Sequence, residues 1–358
     1  MANLLLAGYF GAGNIGDDAI LLGFVQGLGE TGHNITVMSA NPDDTSRSYG
    51  LRSIDRRDTN AFKKALDECD ALVFPGGSIF QDSSSVQSVA YYGQLVKAAK
   101  GKNKKVLLLG QGVGPLNNFL AKRWASSAFS MADAVSVRDP GSLTTLQSLG
   151  VKRPVRITAD CAFLLPQPKE ADGPGFSVGG MKAVGISVRP HGKKDEMQVL
   201  FGELARLLFQ AQIMPVFIEM DRNHDGPLIL DISKAQGGKI PDIRKIGTPM
   251  QLQSRMQRLE AVIAMRLHAG ILAATVGIAP FMVSYDPKVA AFAKLLDLPQ
   301  APALNGLSAQ RLFDSFMQFL KDKEKNTRLV ERKREELAKL ARANIDILND
   351  LLPDPVKM

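Results

Sequence analysis

The sequence predicts an α/β fold made of two doubly wound domains, each with a parallel sheet. Its 358 residues exceed the roughly 250–300 residues at which a single hydrophobic core stops growing. Short β-branched or leucine-rich runs alternate with longer amphipathic segments in both halves, which is the pattern of β-α-β units. A segment rich in Pro and Gly, PQPKEADGPGFSVGGMK at 166–182, separates the two series and has neither helical nor strand periodicity. The chain is therefore expected to contain two domains.

Apolar runs in the first half indicate strands, and the polar residues after them indicate helix starts. The predicted strands are Leu4–Gly8, Ile35–Ser39, Ala71–Phe74, Val106–Gly110, Ala134–Val137 and Val155–Thr158. The predicted helices begin near Asn14, Thr59, Ser85, Asn118 and Gly141.

The second half repeats this alternation and ends in a charged tail. The predicted strands are Ala183–Val188, Pro215–Glu219, Ala261–Ala264 and Pro280–Tyr285, with helical stretches at Glu196–Gln210 and Arg266–Val276. From Ser308 onward, leucines at helical spacing and charges of both signs predict helix. The basic excess of this tail is either a solvated face or a surface for anionic lipid headgroups.

These patterns set the predicted domain boundaries. The first domain spans residues 1–168, a linker spans 169–182, the second domain spans 183–307, and a C-terminal helical segment spans 308–358. Ligands of open parallel sheets bind at the carboxyl ends of the strands. The site is therefore expected in a cleft between the carboxyl ends of the two sheets.

Composition limits the function classes. The net charge of +8 favours an anionic partner such as a phosphorylated metabolite, nucleic acid or an acidic membrane. Cys69 and Cys161 are too few for a disulfide scaffold and form no C-x-x-C pair, and no metal-ligand spacing is present. The start, MANLLLAGYFGAGNIGDD, lacks a basic n-region, and glycines break its apolar run early, which predicts a cytoplasmic protein.

The first glycine motif is GYFGAGNIGDD at 8–18, where a strand leads into G-x-G-x-x-G and a helix. Such a loop brings backbone amides close to an anion. A NAD site also needs an acidic residue at the end of the second strand, but ITVMSANP has none there, which argues against NAD. Asn14, Asp17 and Asp18 are predicted to bind a polyol acceptor, although acidic residues also simply favour a helix's first turn.

Two further glycine loops follow strands, FPGGSIFQD at 74–82 and LGQGVGP at 109–115. Tight glycine turns are often only structural. Three of them on one sheet edge, however, are suited to line a pocket for sugars or phosphates. Asp82 and Gln111 are the predicted polar contacts of this acceptor side.

Each predicted domain also places an arginine just beyond a strand. Arg138 follows a strand in SVRDPGS at 136–142, and Arg189 follows one in GISVRPH at 185–191. An arginine at the ligand-binding end of a strand is a candidate for holding an anion.

The densest group of potential cations lies in VIAMRLHAGILAATVGIAPFMVSYDPKV, residues 262–289. Arg266 and His268 begin a helix after a buried strand, and the next strand delivers Lys288 to the same edge. Arginine holds carboxylate or phosphate through a planar fork, lysine adds a mobile charge, and histidine exchanges protons near neutral pH. The cluster suits a small, multiply charged anion, unless Arg266 only pairs with a core carboxylate.

The motifs GYFGAGNIGDDAI, PGGSIFQD, GQGVGP, SVRDPGS, AMRLHAGILA and SYDPKV, in this order, resemble those of the polysaccharide pyruvyl transferase family. The closest resemblance is to bacterial enzymes that modify the secondary cell wall polysaccharide. It covers roughly residues 4–300, and R-L-H-A-G with the later D-P-K is its specific part. It implies a GT-B-like fold with two facing Rossmann-like domains.

The resemblance also implies the reaction. A pyruvyl group passes from phosphoenolpyruvate, a co-substrate, to a sugar of a lipid-linked saccharide, with N-acetylmannosamine as the expected acceptor residue. The products are a cyclic pyruvate ketal and phosphate, and no cofactor is expected. The implied catalytic residues are His268, Arg138 and Lys288, and the expected donor-binding residues are Arg266, Leu267, His268, Lys288, Arg138 and Arg189. Leu267 would act through its backbone amide.

Three other functions stay open at this stage. A GT-B glycosyltransferase with a nucleotide-sugar donor would share the fold, and Glu219 would be its ribose ligand. A NAD-dependent oxidoreductase lacks the acidic residue described above. A noncatalytic nucleic-acid or carbohydrate-binding protein would explain the charge, but one Trp and five Tyr and no known module make nucleic acid an unexpected partner. A lipid-linked acceptor would bring the enzyme to the inner face of the plasma membrane.

Overall fold

The computed structural model describes residues 2–29, 32–83, 85–171, 176, 180–193, 195–238, 240–300 and 302–352. The chain divides into two compact units. Unit 1 comprises residues 1–165 and 337–358, and unit 2 comprises residues 166–336. Half of the linker predicted at 169–182 lies outside the described residues, namely 172–175 and 177–179.

Unit 1 alternates strands and helices along the chain. Its elements are β1 (Asn3–Leu6), α1 (Ile15–Leu28), β2 (Asn34–Ser39), α2 (Pro42–Tyr49), β3 (Arg52–Asp55), α3 (Thr59–Glu68), β4 (Ala71–Phe74), β5 (Gly77–Phe80), α4 (Val86–Gly101), β6 (Lys105–Val113), α5 (Phe119–Met131), β7 (Ala134–Val137), α6 (Pro140–Ser148), β8 (Arg156–Ile157) and a 3-10 turn (Cys161–Leu164). The strands form a parallel sheet in the order β3-β2-β1-β4-β6-β7-β8, with β5 paired to β6.

The unit 1 sheet is covered on both faces, which explains its continuous apolar strands. Leu5, Leu72 and Leu108 point to one core with α3 to α6. Their neighbours along the strands point to a second core with α1 and the end of the C-terminal helix. This alternation follows from the two-residue period of a strand.

Unit 2 has the same architecture. Its elements are β9 (Lys182–Ser187), α7 (Glu196–Gln210), β10 (Ile213–Ile218), α8 (Asp225–Ala235), β11 (Asp242–Ile243), α9 (Pro249–Met256), β12 (Ala261–Ala264), α10 (Leu267–Thr275), β13 (Pro280–Met282), α11 (Pro287–Leu295), α12 (Ala309–Lys321) and α13 (Lys323–Leu351), the last of which ends in unit 1. The parallel sheet has the order β11-β10-β9-β12-β13.

The ends of the second predicted domain differ from the structure. The described part of the predicted linker packs on α9 and so belongs to unit 2. There Ser254 donates a hydrogen bond to the carbonyl of Glu170, and Arg258 donates one to the carbonyl of Ala171. The C-terminal segment, predicted as one separate piece, is divided between the units because Ile345 and Leu348 of α13 enter a core of unit 1.

Most predicted strands are confirmed, and Ala71–Phe74, Ala134–Val137 and Ala261–Ala264 match to the residue. The predictions missed several short or polar elements, namely β3, β5, β11, α2, α8, α9 and α11. Among them, α2 has the sequence PDDTSRSY with only Thr45 buried, so it carries little hydrophobic periodicity to detect.

Candidate functional site

Four neighbouring strands of unit 2 bring charged and aromatic side chains to one edge of the sheet. The loop after β9 carries Arg189, the loop after β10 carries two aspartates, β12 leads to Arg266, and β13 leads to Tyr285 and Lys288. Because β10, β9, β12 and β13 are parallel neighbours, their carboxyl ends meet at this edge. We refer to the group Arg189, Arg266, His268, Tyr285 and Lys288 as the cationic cluster.

Arg266 is the N-cap of α10, and its guanidinium reaches across the end of β9 to the loop after β10. Its Nε lies 3.2 Å and 3.1 Å from the two carboxylate oxygens of Asp225, and its Nη2 also donates to Asp225. The same Nη2 lies 3.6 Å from Asp221 Oδ2. Arg266 and Asp225 therefore form a bidentate ion pair. The carboxylate is fully buried and the guanidinium nearly so, with side-chain exposures of 0% and 13%.

Electrostatics keeps this arginine charged. Burial disfavours the guanidinium, but the carboxylates of Asp225 and Asp221 outweigh burial and raise the pKa of Arg266 above its ordinary value. Burial also raises the pKa of Asp225, which Arg266 opposes. A buried carboxylate of this kind needs its partner, because an unpaired buried charge is strongly destabilising.

Arg189 makes a second bridge across the same edge. Its Nη1 donates to the hydroxyl of Tyr285 at 2.7 Å, and its guanidinium carbon lies 5.2 Å from the centre of the Tyr285 ring. Arg189 follows β9 and Tyr285 follows β13, so this contact spans the end of β12. Arg266 and Arg189 thus each contact a residue that follows a strand two positions away, at the same edge of the sheet.

His268 and Lys288 lie at helix starts within the cationic cluster. His268 is the second residue of α10, and Leu267 is the first. Lys288 is the second residue of α11, where the carboxylate of the N-cap Asp286 accepts its backbone N–H at 2.9 Å. Their side chains are half-buried. Two helix N-termini therefore direct their positive dipole ends toward the same sheet edge.

Arg138 lies in unit 1, whereas the other predicted donor-binding residues lie in unit 2. Its side chain is 6% exposed; Nη1 donates to Asp160 at 2.6 Å and Nη2 donates to Ser78 at 2.8 Å. A Cβ built on Gly112 would meet the guanidinium at 2.8 Å. A glycine there lets the backbone of β6 lie directly against the arginine.

The predicted acceptor residues of unit 1 occupy the carboxyl edge of its sheet, and several already hold local structure. Asn14 caps α1 by accepting the Gly16 N–H at 3.0 Å. Asp82 Oδ2 accepts the N–H groups of Asn117 and Asn118 at 2.7 Å and 2.6 Å, which ties the loop after β5 to the loop after β6. Asp17 is half-buried beside the second glycine loop, since a Cβ on Gly77 would lie 3.5 Å from its Oδ1.

Gln111 is different from the expected surface contact. It is fully buried, and its Nε2 donates to the carbonyls of Phe74 and Leu109 at 3.1 Å and 2.9 Å. Its Oε1 is also buried and has no hydrogen-bond partner in the described part of the chain. Gln111 therefore joins strands inside the domain, because strand β6 continues through this residue to Val113.

Asp18 is the most strongly perturbed carboxyl of the predicted acceptor side. It is buried, and it accepts the Gly11 N–H at 2.9 Å and the Tyr49 hydroxyl at 3.2 Å. Burial raises its pKa to about 7, with smaller contributions from Asp17 and Asp44. Asp18 thus holds the first glycine loop in place through its hydrogen bond with the Gly11 N–H.

Asp221 and Asp225 are the residues of this region that the sequence analysis missed. They follow β10 in the stretch EMDRNHDG at 219–226, an acidic loop at the carboxyl end of a predicted strand. Their position at the carboxyl end of a strand was the sequence feature that could have identified them as site residues. Their pairing with Arg266, 41 residues away for Asp225, requires knowing that β10 and β12 flank β9.

The described residues contain neither a metal-binding cluster nor a membrane-spanning helix. Within the described ranges, no group of three or more His, Cys, Asp or Glu side chains is placed to hold a metal ion. In the same residues, no helix is both long and apolar enough to cross a membrane.

Solved structures similar to this chain share its fold. A putative UDP-N-acetylglucosamine 2-epimerase from Listeria monocytogenes has a TM-score of 0.66 at 14% identity, covering 98% of this chain and 96% of that protein. A glycosyltransferase from Rickettsia africae has a TM-score of 0.63 at 11% identity, covering 98% of both chains. The predicted α/β class with Rossmann-like domains of the GT-B type is therefore confirmed.

Sequence comparison identifies the family. The amylovoran biosynthesis protein AmsJ of Erwinia amylovora is 23% identical over 83% of this chain and 86% of its own length. The family model for polysaccharide pyruvyl transferases matches residues 14–287, which include the glycine loops at 74–82 and 109–115 and the cationic cluster except Lys288. The chain belongs to the polysaccharide pyruvyl transferase family, a family of transferases in polysaccharide pyruvylation.

Proposed function

We propose that this protein transfers the pyruvyl group of phosphoenolpyruvate to two hydroxyls of one sugar, forming a cyclic ketal and releasing phosphate. The proposed acceptor is an N-acetylmannosamine residue of a lipid-linked precursor of a cell wall polysaccharide. Family membership supports pyruvylation, and the observation that carries the choice of donor is the cationic cluster of unit 2.

The cationic cluster matches the chemistry of phosphoenolpyruvate. This donor carries a carboxylate and a phosphate on one three-carbon frame, so it needs several cationic contacts within a small space. Arg189, Arg266 and Lys288 come from three strand ends of one sheet edge, and the N-termini of α10 and α11 add backbone amides. Planar guanidinium groups and helix starts are effective partners for both anionic groups.

The proposed reaction needs proton transfers that the cluster is suited to supply. A proton added to the methylene carbon makes C2 electrophilic, and the first sugar hydroxyl adds to C2 while losing its proton. The C2–O bond to phosphate then breaks, and the second hydroxyl closes the ring. We assign the first of these proton transfers to His268, and charge neutralisation of the departing phosphate to Arg266 and Lys288.

The acceptor side of the proposal lies on unit 1. Asp17 and Asp82 are the carboxylates that we propose to orient a sugar hydroxyl, at the edge formed by the glycine loops. The proposal requires no cofactor. A lipid-linked acceptor would place the protein at the inner face of the plasma membrane, and we propose the charged, exposed side of α13 as the surface that faces anionic lipid.

The first test is release of phosphate from phosphoenolpyruvate, with and without a lipid-diphosphate disaccharide that contains N-acetylmannosamine. We expect release that depends on the acceptor, and a product whose ketal is visible by NMR. A glycosyltransferase would instead release a nucleoside diphosphate from a nucleotide sugar. Release of nucleoside diphosphate, without phosphate release from phosphoenolpyruvate, would contradict the proposal and identify a glycosyltransferase instead.

Variants separate donor binding from chemistry in the same assay. His268→Ala should lower turnover by about 10²-fold or more, since removing a general acid-base typically costs this much. Lys288→Met should chiefly raise the KM for phosphoenolpyruvate. Lys294→Met removes an exposed lysine from the same helix and should leave activity unchanged. A folded His268→Ala protein with normal turnover would remove His268 from the mechanism.

A further inference from the structure

The loop after β10 contains a histidine that neither the sequence motifs nor the proposed mechanism uses. His224 lies between Asp221 and Asp225, and its side chain is 63% exposed. Its Nδ1 lies 2.9 Å from Oδ2 of Asp221, whose side chain is only 9% exposed. A buried carboxylate on Nδ1 fixes the orientation of the ring and directs Nε2 away from the carboxylate.

The carboxylate that holds His224 is itself held firmly. Asp221 Oδ1 accepts the backbone N–H groups of Asn223 and His224 at 3.1 Å and 3.3 Å. Asp221 also donates its N–H to Asp225 Oδ2 at 3.0 Å and accepts the Asp225 N–H at its carbonyl at 2.8 Å. The loop therefore fixes Asp221 by hydrogen bonds on both its side chain and its backbone.

This pair lies next to the proposed donor site. The oxygen that contacts the His224 ring, Asp221 Oδ2, lies 3.6 Å from Nη2 of Arg266. One carboxylate thus faces both an exposed imidazole and an arginine of the cationic cluster. An imidazole oriented by a carboxylate, beside a cation that binds the substrate, is the arrangement expected of a general acid-base.

We propose that His224, positioned by Asp221, is a second proton-transfer group of the donor site and serves the departing phosphate. This inference rests on the proposed function. As the C2–O bond breaks, its electron pair stays on the phosphate oxygen, which takes the proton of His224 Nε2. The second sugar hydroxyl returns a proton to the imidazole as its oxygen bonds to C2. His268 gives its proton to the methylene carbon and then takes the proton of the first hydroxyl, so the two histidines balance the two hydroxyl protons.

The test uses acceptor-dependent phosphate release by the full chain. His224→Gln should lower kcat by about 10²-fold with little change in the KM for phosphoenolpyruvate, because the group acts in the chemical step. Asp221→Asn should lower kcat by a similar factor. The double variant should be no slower than His224→Gln alone, since Asp221 acts through the ring.

Arg222→Gln is the matched control, because it removes an exposed cation from the same loop. It should keep kcat within about threefold of the wild-type value if the loss in His224→Gln reflects proton transfer rather than charge. Equal losses in Arg222→Gln and His224→Gln, or a normal kcat for His224→Gln, would overturn the assignment while leaving pyruvyl transfer intact. No release by the wild-type protein would overturn the proposed function and this step with it.

Discussion

At the scale of single residues, two buried aspartates differ in the charge of their neighbours. Asp225 faces the guanidinium of Arg266. Asp18 is contacted by the Gly11 N–H and the Tyr49 hydroxyl and is repelled by Asp17 and Asp44. Burial alone penalises both carboxylates, so their partners decide how each one titrates.

The Asp225–Arg266 pair predicts a large stability effect in unit 2. Asp225→Asn should lower the free energy of unfolding by about 3–5 kcal/mol, because it leaves Arg266 charged and nearly buried without its main partner. Urea unfolding followed by circular dichroism measures the change. The double variant Asp225→Asn/Arg266→Gln should recover much of the loss, since both charges are then removed. A single variant as stable as the wild type would show that the pair contributes nothing to folding.

Asp18 predicts a pH dependence in unit 1. Its pKa is about 7 in the folded protein and near its ordinary value of about 3.9 when unfolded. Between these values the folded state binds the extra proton, so stability falls as pH rises from about 4 to about 7. Asp18→Asn should remove this dependence of stability on pH. Relative to the wild type, the variant should therefore be more stable at pH 8 than at pH 5. Urea titrations at pH 5 and pH 8 compare the two proteins, and identical slopes would exclude Asp18 as the cause.

At the scale of elements, α1 is fitted closely to the 3-10 turn of residues 161–164. A Cβ built on Gly23 would lie 1.9 Å from the carbonyl oxygen of Cys161, which is backbone and cannot move aside alone. Gly93, in the middle of α4, has its nearest neighbours at 3.8 Å. The two glycines lie in helices of the same unit but differ in the space beside them.

This difference predicts opposite effects of one substitution. Gly23→Ala should destabilise the protein by about 1–3 kcal/mol, because overpacking outweighs the better helix propensity of alanine. Gly93→Ala should stabilise it by up to about 1 kcal/mol, because only the propensity changes. Thermal unfolding measures both. A stabilising Gly23→Ala would mean that α1 shifts freely against the turn.

Two buried strands with continuous apolar sequence were predicted correctly, whereas the polar edge strand β3 was not. ALVF at 71–74 and AVIA at 261–264 are buried throughout and match the predicted strands. RSID at 52–55 forms the edge strand β3 without a buried residue, so its sequence carries no strand signal. In the site, the helix-start positions of Arg266 and His268 were predictable from chain-local patterns. The Asp225 and Tyr285 contacts were not, because they depend on strand order.

At the scale of the whole molecule, unit 1 is built from two distant parts of the chain. Asn344 of α13 is fully buried; its Oδ1 accepts the hydroxyls of Ser136 and Thr158 at 2.6 Å and 2.8 Å, and its Nδ2 donates to the carbonyl of Ala159 at 3.0 Å. Ile345 and Leu348 fill the core beside it. The end of α13 is therefore part of the N-terminal domain's interior.

Truncation tests this dependence. A chain that ends at Glu336 should lose the folded state of unit 1, because several buried apolar side chains at about 1.5–3 kcal/mol each approach the whole stability of a domain. The single tryptophan, Trp124, packs against a core of unit 1, so its fluorescence reports that unit. A chain that ends at Leu352 is the control and should resemble the wild type. Native emission from the shorter chain would contradict the prediction.

The same division of unit 1 between the two ends of the chain affects biosynthesis. Domains generally fold as units while the chain leaves the ribosome, the N-terminal domain first. Here the sheet of residues 3–157 emerges early but lacks its last helix. Unit 2 is complete at residue 336, so it has all of its sequence before unit 1 does. The nascent chain must keep the open apolar face of the first domain from aggregating until the final residues of α13 are released.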